Sequence, residues 1–495
     1  MIKLEEILRD FSLSESSRQN IINGSNEVTA EFEAIAQTTL AGHFCVKRKG
    51  GNVVVRPTCV EFYCHEEAKH GIKDYIVYHR NTKDSPKPTF GLGTLHHHVS
   101  GVDITFEKGD EPDTAIRASM LIREFEVEGK NDDRSTMLYE ALYQQSSIFD
   151  GISVQWIDGD ETVDVTADVR KNVAQFDANG EKKKASDYPE LLATEDKKYV
   201  QDLRKWQFKR KQVTDSDTNK VYISSWLKDE CPDFYGRFIS LLQNNGIAFQ
   251  VMQSTNDIWA RDYMPIQIYD DHFVQYCYNP NYLQKSEEDK ESITDVDSVC
   301  KELGISTYKT DLVIDGGNVV KSGKYIIMTE KVYVENSRFK PAEVRAQLRS
   351  IFHCDVIMLP WDKKEPYGHA DGIVKAIDDN TVLLTNYDDF DSYYAKRFED
   401  ILSKHFTVKK LCYQVEHRSK NNWAYINFLR IGDVIILPGL GTYEDKQALQ
   451  QIQGFYPESK VLQIEASEVV NKGGAINCIT WNINCLLYTS DAADE

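Results

Sequence analysis

Two textures divide this chain. From residue 221 onward, short apolar runs of strand length alternate with segments whose apolar positions recur at helical spacing. Residues 221–225 read as a strand, 234–245 as an amphipathic helix and 246–252 as the next strand. The alternation continues with a strand at 325–328, a helix at 341–352 and a strand at 355–359 that stops before Pro360. Strands at 373–377 and 382–385 precede a helix at 391–406; a strand at 432–437, a helix at 443–453 and a strand at 460–464 close the series. Strand and helix alternating at this spacing predict an α/β domain. Residues 30 to 170 differ, with β-like runs at 51–56, 59–64, 74–78 and 102–106 that predict a smaller mostly-β or α+β domain. Between the two lies a charge-dense stretch whose second half, 195–206, fits a solvated helix. The expected organisation is an N-terminal domain at 1–177, a connector at 178–219 and a C-terminal domain at 220–484.

A length of 495 residues suits two domains. Charge changes the picture more: 58 basic against 78 acidic side chains leave a formal net charge of −20. Such a field repels phosphates and attracts cations, so nucleic acid is not an expected partner and a small cation is. The ten cysteines form no Cys-x-x-Cys pair, no apolar run reaches membrane-span length, and the opening residues lack a signal-peptide core. The expectation is a cytoplasmic protein with reduced thiols and no membrane partner. Residues 485–495 resemble the translated read-through of a sequencing-library adapter and are expected to be non-native, which removes Cys485 from consideration.

The chemistry is concentrated in four short stretches, taken in order: Asn256-Asp-Ile-Trp-Ala-Arg-Asp262, Asp315-Gly-Gly-Asn318, Gly368-His-Ala-Asp371 and Gly473-Gly-Ala-Ile-Asn-Cys478. They contribute one thiol, one imidazole and several carboxylates, mostly beside glycines that free the backbone and let a ligand approach. A Cys, a His and acidic partners are the parts of a thiol nucleophile with its proton carrier. The surplus of carboxylates exceeds what a Cys–His protease needs. It fits a cationic substrate, and a planar guanidinium with five N–H donors is the group that paired carboxylates hold best.

At these motifs the chain resembles the agmatine deiminase and bacterial peptidylarginine deiminase family of guanidine-modifying enzymes, over about residues 220–484. The resemblance implies a five-bladed, pseudo-symmetric α/β propeller, the pentein fold. It implies hydrolytic, cofactor-free deimination of an agmatine-like or arginine-containing guanidine through a Cys thiouronium intermediate. Cys478 matches the nucleophile, His369 the acid and base, Asp262 and Asp371 the guanidinium clamp, and Asp315 the acid that orients the histidine. Many relatives carry Glu at the last position; Asp315, shorter by one methylene, could instead cap a Gly-Gly turn. Trp259, Asp257, Asn427 and Asn318 are candidate substrate contacts, and Arg261 is expected to point away from a cation or to meet a substrate carboxylate. An amidinotransferase would use the same nucleophile with an amine in place of water, and a guanidinium-binding regulatory protein would need no thiol.

No cofactor is expected, because no Gly-rich phosphate loop stands between a strand and a helix. No metal is expected either: of His96-His-His98, alternation lets only His96 and His98 share a face, with no further ligand at zinc-like spacing. The segment 91–123 loosely resembles an uncharacterised bacterial domain. Its His97, His98, Asp103, Arg117 and Arg123 could line a pocket for an anionic or nucleobase-like ligand, or simply cap a pair of strands.

Overall fold

The computed structural model describes residues 3–485 except 49, 83–84, 144–152, 161, 270–271 and 366. The expectation for 486–495 therefore lies outside the described residues; Cys485 exchanges two backbone hydrogen bonds with the Asn219 side chain. Two compact units divide the chain, Met1–Lys211 and Gln212–Glu495. Residues 178–211, read above as connector, belong to the first unit. Among the described residues no helix is long and apolar enough to cross a membrane.

The first unit is α+β. A nine-stranded sheet is organised on the long strand Gly51–Glu66, which pairs antiparallel with Ile116–Val127 and with His43–Arg48. The sequence reading divided that strand at Pro57, where the register in fact shifts without breaking the ladder. Three helices precede the sheet and were not anticipated: Leu4–Arg9, Glu15–Ile22 and Ala30–Ala41. In the last, Phe32, Ile35, Ala36, Thr39 and Leu40 are buried, a stripe at helical spacing. Phe32 stacks on Phe62 at 4.6 Å and meets Trp206 edge-on at 5.1 Å.

Two expected elements of this unit do not form. Residues 74–78 make turns instead of a strand, and 195–206 make no helix. One buried guanidinium accounts for both. Arg170, fully buried, donates to Asp74 Oδ2 and to Asp202 Oδ2, each at 2.7 Å, and to the Phe62 carbonyl at 3.2 Å. Arg204 joins the same carboxylates and lies 4.3 Å over the Trp206 ring. Tertiary ion pairs thus claim the polar groups that each local element would have left in solvent.

The second unit repeats one theme five times. Each of five three-stranded sheets has a central strand antiparallel to one neighbour and parallel to the other. The central strands are Lys220–Ser224, Phe273–Cys277, Tyr325–Thr329, Thr381–Leu384 and Val434–Gly439. A parallel partner requires a crossover, supplied in the five sheets by the helices Pro232–Asn244, Val296–Leu303, Pro341–Phe352, Ser392–Leu402 and Glu444–Phe455. Each buries an apolar stripe, as Val344, Leu348, Ile351 and Phe352 do. The last strand, Thr480–Ile483, returns to pair with Lys220–Ser224, so the end of the unit completes its first sheet.

Replacing Arg170 by Ala leaves the buried Asp74 and Asp202 to Arg204 and empties the space beneath the Phe62 carbonyl. The first unit is expected to lose about 3–5 kcal/mol, read as a lower urea midpoint for its transition; an unchanged midpoint would refute the assigned role.

Candidate active site

All the singled-out motifs fall at one structural position, the connection from the last strand of one sheet to the first strand of the next. The tight turns Ala260–Tyr263, Gly316–Asn318, Ala370–Gly372 and Asn422–Ile426 occupy four of these connections, and the loop ending at Cys478 occupies the fifth. Asp262, Asp315, Asp371, Asn427 and Cys478 accordingly follow one another at intervals of 53, 56, 56 and 51 residues. That period is a sequence signal missed above, because it joins unlike residues.

The turns are bonded to one another in a closed circuit. Gly317 N donates to Asp262 Oδ1 at 3.0 Å, and His369 Nε2 lies 3.0 Å from Asp315 Oδ2. Asn427 Nδ2 donates to the Asp371 carbonyl at 3.4 Å, and Cys478 N donates to Asn427 Oδ1 at 3.3 Å. Arg261 N donates to the Cys478 carbonyl at 3.0 Å and closes it. Two glycines are required by the crowding. A Cβ on Gly317 would lie 2.6 Å from both Asp262 Oδ1 and His369 Nδ1, and one on Gly474 would lie 2.2 Å from the Trp259 ring.

Within this frame Cys478 Sγ is 3.2 Å from Asn427 Oδ1 and 3.6 Å from Asp371 Oδ2, and the residue is only 7% exposed. Burial, then the charges of Asp371 and Asp262, push its thiol well above the ordinary value. Burial also disfavours a charged His369, yet Asp262, Asp315 and Asp371 overcome it and raise the imidazole to about 9. Its Nδ1 stands 3.6 Å from Asp262 Oδ1, so carboxylates flank both ring nitrogens. Burial raises Asp262 to about 7 against the opposing effect of His369. Asp315 is likewise buried, but hydrogen bonds from His369 and Lys331 hold its carboxyl below the usual range.

Lys331 is a residue that sequence reasoning missed. Its ammonium, fully buried, donates to Asp315 Oδ2 at 3.3 Å and Glu335 Oε1 at 2.6 Å, and lies 4.8 Å over the Tyr282 ring. In sequence, Lys331 and Glu335 read only as an ordinary pair four apart on a helix. Lys375 is similar: buried, it bonds Asn477 Oδ1 at 2.9 Å and Asp215 Oδ2 at 2.8 Å, while Asn477 Nδ2 donates to Asp371 Oδ2 at 2.8 Å.

Cys478, His369, Asp371 and Asn427 share the wall of one cavity of about 450 Å³, with Trp361, Tyr367 and Trp423 among its aromatic lining. Asp262 and Asp315 stand behind the imidazole and are not part of that wall. Three candidate contacts are occupied elsewhere. Asn318 spends its amide on the Thr329 backbone, Asp257 accepts from the Ile258 amide at 2.5 Å, and Trp259 packs over Gly474. Arg261 turns away, donating to the Asn477 carbonyl and to Asn482. A thiol, an imidazolium and carboxylates around one partly apolar cavity can bind a flat cation and attack it.

The sequence pattern of the Porphyromonas-type peptidyl-arginine deiminase family matches residues 194–483. A Streptococcus mutans protein provisionally named an agmatine deiminase is 29% identical over 220 residues, 37% of this chain and 60% of that protein. The chain thus spans about three fifths of that relative's length. A second, from Enterococcus faecalis and also provisionally named, is 23% identical over 278 residues, 46% of this chain and 74% of that protein. Among solved structures, an agmatine deiminase of Enterococcus faecalis aligns at a TM-score of 0.46 and 21% identity, covering 56% of this chain and 96% of that one.

The imidazole's elevation depends on its carboxylate neighbours. Asp315→Asn is expected to lower the His369 pKa from about 9 by a unit or more, read by NMR titration of the ring protons. An unshifted titration would leave Asp262 as the controlling charge.

Proposed function

We infer a hydrolytic deimination from the geometry above and from one premise: the chain belongs to the Porphyromonas-type peptidyl-arginine deiminase family. The substrate is a guanidine, and the products are the corresponding ureido compound and ammonia. The observation that carries this reading is the single cavity wall shared by Cys478, His369 and Asp371, with Asp262 and Asp315 bracing the imidazole. The five equivalent sheets support the finer fold reading, a five-bladed pseudo-symmetric α/β propeller with residues 220–484 as catalytic domain.

In the free site the thiol is protonated, because burial and two carboxylates oppose a thiolate. A guanidinium held by Asp371 offsets that carboxylate and adds its own positive charge, which favours ionisation of Cys478, the thiol proton passing to solvent. The thiolate attacks the guanidinium carbon and forms a C–S bond. Protonated His369 gives its proton to one nitrogen, the C–N bond breaks, and ammonia leaves a thiouronium on Cys478. His369, now neutral, takes a proton from water; the hydroxyl adds to the same carbon, the C–S bond breaks as the hydroxyl proton passes to the departing sulfur, and the ureido product leaves with His369 protonated and Cys478 restored as the thiol. Asp315 positions the imidazole and supports its charged form, while Lys331 keeps Asp315 ionised.

An agmatine-like substrate with a second cationic end is the preferred one, because Asp362 and Glu365 also line the cavity. Lys420 in the same wall is the feature that favours a carboxylate-bearing arginine instead. The test offers agmatine, free arginine, an internal-arginine peptide and a C-terminal-arginine peptide to the purified protein and measures ureido product. Turnover of agmatine that falls at least about 10³-fold in Cys478→Ser, and roughly 10- to 150-fold in Asp371→Asn, is expected. Turnover of a peptide alone would move the assignment to the peptidyl branch, product formation only with an added amine to an amidinotransferase, and stoichiometric binding without turnover to a regulatory protein.

The pH dependence has a determined sign. Activity needs Asp262 ionised and His369 protonated, so kcat/KM is expected to rise as pH passes about 7 and fall as it passes about 9. A profile still climbing beyond pH 10 would remove His369 as the proton donor.

A further inference from the structure

Asp371 belongs to the cavity wall, but the groups that hold its carboxylate lie behind that wall. Its Oδ2 accepts from Asn477 Nδ2 at 2.8 Å and stands 3.6 Å from Cys478 Sγ. Its Oδ1 receives no hydrogen bond among the described residues. Asn477 Oδ1 in turn accepts from Lys375 Nζ at 2.9 Å, and the same ammonium is 2.8 Å from Asp215 Oδ2. Lys375, Asn477 and Asp371 are all buried, and neither Lys375 nor Asn477 lines the cavity.

The chemistry of these groups gives the chain of bonds one direction. An ammonium only donates and an ionised carboxylate only accepts, while a side-chain amide accepts at one end and donates at the other. Between Lys375 and Asp371 the Asn477 amide satisfies both partners in a single orientation. A flipped amide would set donor against donor and acceptor against acceptor. The Asn477 backbone is held as well: its N–H donates to the Asn427 carbonyl at 3.0 Å, and its carbonyl accepts from Arg261 Nε at 3.3 Å. A buried lysine is costly. Asp215 is 27% exposed and within reach of water, whereas Asn477 Oδ1 has no other donor among the described residues. The ammonium therefore matters most on its Asn477 side.

We propose that Lys375 and Asn477 are positioning residues that hold the Asp371 carboxylate with Oδ2 beside the thiol and Oδ1 presented to the guanidinium. The inference rests on the guanidine-binding reading above and adds the groups that aim the clamp. Lys375 acts through Asn477, and Asn477 acts through Asp371; neither touches the substrate. Without them the carboxylate turns about its Cβ–Cγ bond, and a flat cation loses the register that sets its carbon against Sγ.

Two alkylating reagents read the aim of Asp371 with no turnover required. Chloroacetamidine carries a flat amidinium of the kind Asp371 would hold, and chloroacetamide is its uncharged counterpart. With either, the Cys478 thiolate forms a C–S bond as the C–Cl bond breaks and chloride leaves. The two rate constants are followed by mass spectrometry of the Cys478 peptide, and their ratio is divided by that for free glutathione. The quotient is independent of the thiol's own ionisation and of any inactive fraction. The unmutated full chain is expected to favour the amidinium. Losing a hydrogen bond to a charged group is worth roughly 10-fold or more, so Lys375→Met and Asn477→Leu are each expected to lower the quotient by that factor. Asn477→Leu keeps the Lys375–Asp215 pair, so it carries the test if Lys375→Met does not fold. Because Lys375 acts through Asn477, the double variant is expected to match Asn477→Leu within about twofold. Asp215→Asn still offers Lys375 an acceptor and should leave the quotient near its unmutated value. A quotient unchanged in either folded single variant, or single losses that multiply in the double variant, would overturn the relay. No amidinium preference in the unmutated chain would instead refute the guanidine site itself, and the relay with it.

Discussion

Every reactive group of the second unit is held by a hydrogen bond to a neighbouring turn, and the circuit from Asp262 through Asp315, His369, Asp371 and Asn427 to Cys478 closes on Arg261. The site is therefore no property of any single loop. Each turn contributes one or two polar groups, and each satisfies a group on the next that burial would otherwise make costly. Gly317 and Gly474 belong to the same constraint, because side chains there would collide with the imidazole, a carboxylate or the Trp259 ring. Five sheets of one topology present their connections at equivalent points, which is how residues more than 200 positions apart meet.

The circuit also decides the charge states. Three buried carboxylates surround one imidazole and one thiol, with the Lys331 and Lys375 ammoniums partly compensating from behind. The consequence is asymmetric: the imidazole is held charged and the thiol is held neutral. Both tendencies come from the same negative field, so a cation beside Asp371 would ease ionisation of the thiol, while the hydrogen bond to Asp315 still supports the charged imidazole. The acidity of the whole chain adds a long-range attraction for small cations.

The first unit applies the same physics differently. Arg170 satisfies two carboxylates and a carbonyl, with Tyr63 and Trp206 rings against its faces at 4.9 and 5.0 Å. Arg117, another fully buried guanidinium, is bonded to Glu67, Glu107 and neighbouring carbonyls. Of the residues grouped in sequence as a possible pocket, Arg117 is thus structural and His97 faces away, while His98, Asp103 and Arg123 do line a cavity.

Sequence by itself determined the alternation of strands and helices after residue 220 and the motif residues that carry a thiol, an imidazole and carboxylates. Both are local signals, a hydrophobic period and residue chemistry within a few positions. It did not reveal the two-residue strands Ile266–Gln267 and Val320–Lys321, too short to show any period, nor the helix Ala30–Ala41, whose stripe was passed over for its β-like neighbours. Local propensity proposed a strand at 74–78 and a helix at 195–206; the buried Arg170 cluster overrode both. The roles of Lys331 and Lys375, the diversion of Asn318 and Asp257 to backbone, and the meeting of Asp103 with His98 rest on strand register and turn-to-turn contact. Only the tertiary structure could decide these, because a hydrogen bond across a sheet or between two connections is set by which backbones lie side by side, and no neighbouring residue along the chain encodes it.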